Sequence, residues 1–144
     1  MRQRCLERGP ITHAVCEFFT WDPRPMRGAR DHMLVDCTHA MDTVRWMCGG
    51  EVVRIESRCR RIGVTDINWI GATLHFDNGA VGLVVTSWCS GRCVRVQMHA
   101  PEICTDAEVE GRAHLYADGA YEPAVISPME VAEKILAQAL LRGE

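Results

Sequence analysis

Two apolar, β-branched runs, DINWIGATLHF (66–76) and AVGLVVTSW (80–88), meet across Asp77-Asn78-Gly79. Asn-Gly between such runs is the strongest short-range hairpin signal, because these two residues tolerate the positive φ of a tight turn. The middle of the chain is therefore committed to antiparallel sheet.

The flanking segments fit around that hairpin. ITHAVCEFFTW (11–21) is β-branched and aromatic and reads as a strand. In 22–30, two prolines and a glycine forbid regular structure. From Met33 to Cys48 the period changes: Leu34, Cys37, Met41, Val44 and Cys48 recur at helical spacing, and Gly49-Gly50 ends the helix. EVVRIESRCRRI (51–62) alternates as a strand does. Ser90-Gly91-Arg92 predicts a second turn, leading into CVRVQMHA (93–100). DAEVEGRAHLYADG (106–119) is a weaker strand pair, and a helix over about 128–143 closes the chain, with Pro128 in its first turn.

The order is β, α, four or five strands joined by short turns, then α. Short turns imply antiparallel neighbours, and the first β–α–β step needs a crossover. The expectation is a single α+β domain spanning 1–144: an open, mixed, mostly antiparallel sheet with helices on one face. AVGLVVTSW is apolar on both faces, so the uncovered side is expected to meet another subunit or domain, most simply in a homo-oligomer.

Composition narrows the function classes. The chain has 144 residues, 47% apolar and 24% charged, an ordinary globular balance. A net charge of -3 gives no reason to expect nucleic acid or an anionic membrane. No apolar run approaches the roughly 20 residues that span a bilayer. MRQRCLERG at the start has no apolar core, which argues against a secretory signal. The eight cysteines fall mostly in apolar runs, as buried free thiols of a reducing, cytoplasmic compartment do. Cys89 and Cys93 have no second Cys/His pair at zinc-finger spacing, so no metal is expected. Of the 16 basic residues only Lys134 is lysine.

The helix carries the most informative cluster. Residues three apart on a helix are neighbours, so Asp36, His39 and Asp42 place a carboxylate about one turn either side of an imidazole, with Trp46 near the same stripe. Such carboxylates favour imidazolium and orient the ring, and the ring can then exchange a proton with a substrate hydroxyl. Spacing alone leaves three readings open: acid–base catalysis, a solvated polar face, or a metal site. The preceding loop brings Arg24, Arg27, Arg30 and His32 toward this helix, either as solvated groups or as substrate contacts. Arg54, Arg58, Arg60 and Arg61 read as a basic strand edge that protects against unwanted pairing. His13, His75, His99 and His114 lie on expected strands as packed or surface residues. Trp69 and Trp88 read as core or interface residues.

MLVDCTHAMDTVRWMCGGEVVRIESRCRR, followed by INWIGATLHFDNGAVGLVVTSW, resembles the C-terminal domain of the glucose–fructose oxidoreductase/inositol dehydrogenase/MocA (Gfo/Idh/MocA) family. The resemblance rests on a His-x-x-Asp helix with an Arg-Trp segment, then a strand like EVVRI, a strand ending in Phe-Asp-Asn-Gly-Ala, and one ending in Ser-Trp. GPITHAVCEFF resembles that domain's first strand, and the likeness spans roughly 9–119. It implies a sheet like the C-terminal domain of glyceraldehyde-3-phosphate dehydrogenase. It also implies a substrate-side, oligomerising half of an NAD- or NADP-dependent oxidoreductase acting on sugars, cyclitols or similar polyols. The family's helix histidine, matching His39, is the acid–base or substrate-orienting residue.

Two departures bear on this. The family's aspartate four residues before the histidine corresponds to Val35 here, with Asp36 one place later; Asp42 matches the family position better. The sequence also holds no G-x-G-x-x-G after a strand and no Glu-Lys-Pro, so no cofactor is expected on this chain and a Rossmann domain is the implied missing partner. The expected sites are His39, Asp42 and Asp36 for catalysis, and Arg27, Arg30 and His32 for substrate. Activity is not expected of the chain alone. The alternatives are a non-catalytic, homo-oligomerising sheet module and a metal-dependent lyase or isomerase using Asp36, His39 and Asp42.

Overall fold

The computed structural model describes residues 1–21, 33–108, 113–117 and 120–122. After a short helix α1 (Arg2–Leu6) comes strand β1 (His13–Trp21). A π-helical turn, Met33–Cys37, runs straight into α2 (Thr38–Cys48). The remaining strands are β2 (Val52–Arg60), β3 (Trp69–Phe76), β4 (Val81–Ser87), β5 (Cys89–Ala100), β6 (Ile103–Glu108), β7 (Ala113–Ala117) and β8 (Ala120–Glu122). They form one eight-stranded sheet in the order β2-β3-β4-β1-β5-β6-β7-β8. Among the described strands only β1 and β4 run parallel; every other neighbouring pair is antiparallel. This is the open, mixed, mostly antiparallel sheet expected from the order of elements.

The Asp77-Asn78-Gly79 hairpin is a three-residue connection, with Gly79 at φ +84 and paired ends: Phe76 N donates to Ala80 O and Gly79 N to Phe76 O, both at 3.1 Å. The turn also holds the end of α2. Asn78 Nδ2 donates to Cys48 O at 3.0 Å, while Asn78 Oδ1 accepts from Ala80 N at 3.0 Å. Gly49 ends the helix in the left-handed region, its N–H bonded to Arg45 O at 2.9 Å.

The two helices among the described residues lie on one face of the sheet. Ala40, Val44, Met47 and Cys48 of α2 are buried over Ala14 and Cys16 of β1, Leu74 and Phe76 of β3, and Val84 of β4. Gly82 lets the helix approach closely, since a Cβ there would collide with Val44 Cγ1. Cys5 of α1 caps the other half of the same core, with its thiol 3.7 Å from Met98 O.

Three details differ from the sequence expectation. The charged N-terminal segment forms α1, because Cys5 anchors it fully buried. Ser90-Gly91-Arg92 is not a turn: β5 already begins at Cys89, and Trp88 alone carries the chain past the end of β1. The break falls instead at Pro101-Glu102, where Glu102 adopts φ 63. The expected helix at 128–143 and the loop with Arg24, Arg27, Arg30 and His32 lie outside the described residues. All eight cysteines are free; Cys5, Cys16, Cys37 and Cys48 are buried and Cys59 is exposed. Among the described residues no helix is long and apolar enough to cross a membrane.

Candidate functional site

The exposed side of α2 carries one stripe, His39, Asp42 and Trp46, at i, i+3 and i+7, and exposed Val35 lies in the π-helical turn ahead of it. Val35 and Trp46 are 48% and 66% exposed, unusual for side chains of their kind, and they bracket the two polar groups. Among the described residues the His39 imidazole has no hydrogen-bond or ion-pair partner. Its carbonyl accepts from Thr43 Oγ1 at 2.8 Å, which ties the middle of the helix together. Asp42 meets Arg45 at 3.5 Å, an exposed pair one turn along. Arg2 of α1 lies over the Trp46 ring, 5.8 Å from its centroid, at the C-terminal end of α2, where a cation is favoured. An open recess beside Asp42 is lined by Arg45, Trp46, Glu51 and Asp77.

Asp36 stands apart from the other two. It sits in the π-helical turn, where the i→i+5 spacing displaces side chains from their α-helical directions. Its side chain turns inward, is 7% exposed, and accepts a hydrogen bond from Trp88 Nε1. The structure thus brings His39 and Asp42 onto one exposed stripe and assigns Asp36 to the packing between α2 and the β4–β5 connection. Sequence spacing missed this because it assumed one uninterrupted α-helix. Arg27, Arg30 and His32 lie outside the described residues. Among those described, no group of three His, Cys, Asp or Glu side chains is placed to hold a metal ion.

The second face of the sheet, bare among the described residues, holds another cluster. The imidazoles of His13 and His99, directly opposite each other on β1 and β5, stack with centroids 4.0 Å apart. Thr12 Oγ1 lies 3.2 Å from His13 Nδ1, and Cys104 Sγ 3.5 Å from His99 Nε2. Burial lowers the His99 pKa below its ordinary value, the His13 charge lowers it further, and Asp106 opposes both. Asp106 is also held by Arg95, whose Nε and Nη2 approach its two oxygens at 2.8 and 2.5 Å. Sequence reasoning placed each histidine on a strand, but only the β1–β5 register reveals the pair.

Comparison with known proteins places this geometry. The chain matches the GFO/IDH/MocA C-terminal domain over residues 7–103, more than half its length, and belongs to that family. No curated protein matches it. It is similar to the solved UDP-N-acetylglucosamine 3-dehydrogenase from Acidithiobacillus ferrooxidans at 15% identity and TM-score 0.72, covering 99% of this chain and 48% of that one. An aldose–aldose oxidoreductase from Caulobacter crescentus, complexed with glycerol, is similar at 18% identity and TM-score 0.68, covering 99% and 49%. Levoglucosan dehydrogenase in complex with NADH and L-sorbose is similar at 15% identity and TM-score 0.69, covering 89% and 43%. At these identities the likeness is one of fold. The chain spans about half the length of the solved structures it matches.

Proposed function

We propose that residues 1–144 form one domain that supplies the substrate side of an oxidoreductase acting on sugars, cyclitols or similar polyols. His39 exchanges a proton with a substrate hydroxyl, and Asp42, one turn away on the same exposed side of α2, offers a carboxylate to orient the same substrate. The observation that carries this reading is the exposed stripe on α2: an imidazole with no partner among the described residues, set between two solvent-facing apolar side chains. A polar centre with an apolar rim suits a site that a second surface covers, and imidazole changes charge near neutral pH. Asp36 then acts as a positioning residue, holding the start of α2 through Trp88. Arg27, Arg30 and His32, in the segment before α2, remain candidates for contacts to substrate hydroxyls.

The residues of this chain do not suit a dinucleotide. The sequence holds no G-x-G-x-x-G, and the parallel strands β1 and β4 are joined through α2, β2 and β3. NAD or NADP, as the family uses it, would be held outside these residues, and this chain contributes only binding, orientation and the proton.

The test is a titration of the chain with myo-inositol and D-glucose, observing the side-chain resonances of His39. The reading expects a saturable shift that disappears in His39→Ala and persists in His13→Phe, together with no calorimetric binding of NAD or NADP. Unmoved His39 resonances, or tight NAD binding by this chain, would sink it.

A second reading rests on the bare face, where Val15, Trp69, Gly71, Leu83 and Val85 line a shallow groove and Leu83 is 38% exposed. It makes the domain a homo-oligomerising module. Light scattering would then give a dimer or larger species indifferent to His39→Ala and dissociated by Leu83→Asp; a stable monomer at high concentration contradicts it.

A further inference from the structure

Strand β2 closes one end of the sheet, so among the described residues one of its two backbone edges has no strand beside it. From Val53 to Arg60 every residue is exposed. Exposed large aliphatic side chains concentrate in this arm and the loop after it: Val53 at 66%, Ile55 at 54%, Ile62 at 46% and Val64 at 48%. That loop is held in shape. Buried Asn68 accepts from Ile62 N at 2.8 Å and donates to Ile62 O at 2.9 Å. The apolar surface is thus presented by a pinned hairpin arm.

The charge of the arm is one-sided. The register sets Arg54 opposite His75, Glu56 opposite Thr73, Arg58 opposite Gly71 and Arg60 opposite Trp69, all on the bare face of the sheet. Ile55, Ser57 and Cys59 point to the helix face. Glu56, the only acid of β2, is already bonded to Arg54 and lies 3.4 Å from His75 Nε2. Arg58 and Arg60 have no ion pair among the described residues.

We propose that the free edge of β2 accepts an extended partner strand that alternates acidic and aliphatic residues. Its backbone continues the sheet, its carboxylates meet Arg58 and Arg60 on the bare face, and its aliphatic side chains cover Ile55 on the other. Charge complementarity selects this occupant over a second copy of the chain. Another β2 brings the same excess of arginine and a glutamate that is already engaged. The bulge between Val52 and Arg54 and the arginines themselves suppress indiscriminate pairing, leaving the edge open to an acidic strand.

The experiment uses the whole chain and a capped peptide of alternating glutamate and valine, as long as β2. Two control peptides replace glutamate by lysine, or the central valine by proline, which cannot donate to a ladder. Fluorescence anisotropy reports binding, and amide hydrogen exchange reports where. The glutamate peptide is expected to bind, to slow exchange of β2 amides, and to weaken as salt rises. Its affinity should fall about tenfold or more in the Arg58→Glu/Arg60→Glu double variant, the scale of two interfacial charge pairs turned repulsive. Both positions are exposed, and the salt series on the unaltered chain tests the same point without a variant. Absent binding, equal binding of either control peptide, or protection elsewhere than β2 overturns the proposal. Protection of β2 in the peptide-free chain that vanishes on dilution overturns it in favour of a second copy.

Discussion

The Trp88 indole N–H donates to the buried carboxylate of Asp36, joining the turn that starts α2 to the single residue between β4 and β5. The pair lies across 52 residues of sequence. It ties the helix that presents His39 to the sheet beneath it.

Trp88→Phe keeps an aromatic ring, smaller than the indole, and removes the donor. A buried acceptor that loses its partner costs about 1–3 kcal/mol. Urea unfolding should show a loss in that range with an unchanged slope, and Asp36→Asn, which can still accept, should lose less. A Trp88→Phe variant as stable as the parent would mean that the bond contributes nothing to holding α2.

Stability should also depend on pH through the stacked histidines. Burial and the neighbouring His13 charge hold the His99 pKa below the unfolded value of about 6.5. Around and below that value the unfolded chain binds the proton more readily, so the slope of stability with pH is positive there. The contribution is complete above pH 6.5 and is lost as the pH falls through the lower, folded pKa. Melting temperatures between pH 5 and 7.5 should rise with pH, and the rise should be shallower in His99→Phe.

Thiol chemistry should separate the cysteines. Burial pushes Cys16 and Cys48 up to about 11 and raises Cys5 and Cys37 as well. The thiolate is the reactive form, so these four should resist brief treatment with N-ethylmaleimide at pH 8 while exposed Cys59 is modified first. Peptide mass spectrometry identifies the order; early labelling of Cys16 or Cys48 would mean that the core opens far more readily than its packing implies.

Gly82→Ala places a methyl group against Val44. Overpacking of a tight core contact typically costs about 1–3 kcal/mol, here by lifting α2 from β4. Chemical denaturation gives the loss directly, and Val44→Ala in the same chain should recover part of it, since the collision is between these two side chains.

Much of this architecture is legible in local pattern. The Asn78-Gly79 turn, the alternation of β2 to β4, the apolar stripe of α2 and its glycine cap are all written in short stretches, and each element appears where its pattern lies. What local pattern cannot supply is partnership. Asp36 reads as a neighbour of His39 because spacing assumes α-helical geometry; the π-helical turn and a tryptophan far along the chain take it inward. The His13–His99 stack depends on two strands pairing across most of the domain. Cys5 helps the charged N-terminal segment fold as a helix only because Met98 and Thr105 are there to receive it.

Strand β1 has one more consequence, for how the domain assembles. It precedes β4 and β5 in the chain, yet pairs with both, with His13 opposite Val81 and His99. The β2–β3–β4 hairpins can close on their own within microseconds, as neighbouring strands do. The centre of the sheet must wait until the chain beyond β4 has been made and has wrapped past the end of β1. Long-range pairing of this kind slows folding, because loop entropy is lost before any contact compensates for it. A ribosome-bound chain halted before β5 would hold β1 with only one of its two neighbours available, its other edge open to any strand nearby.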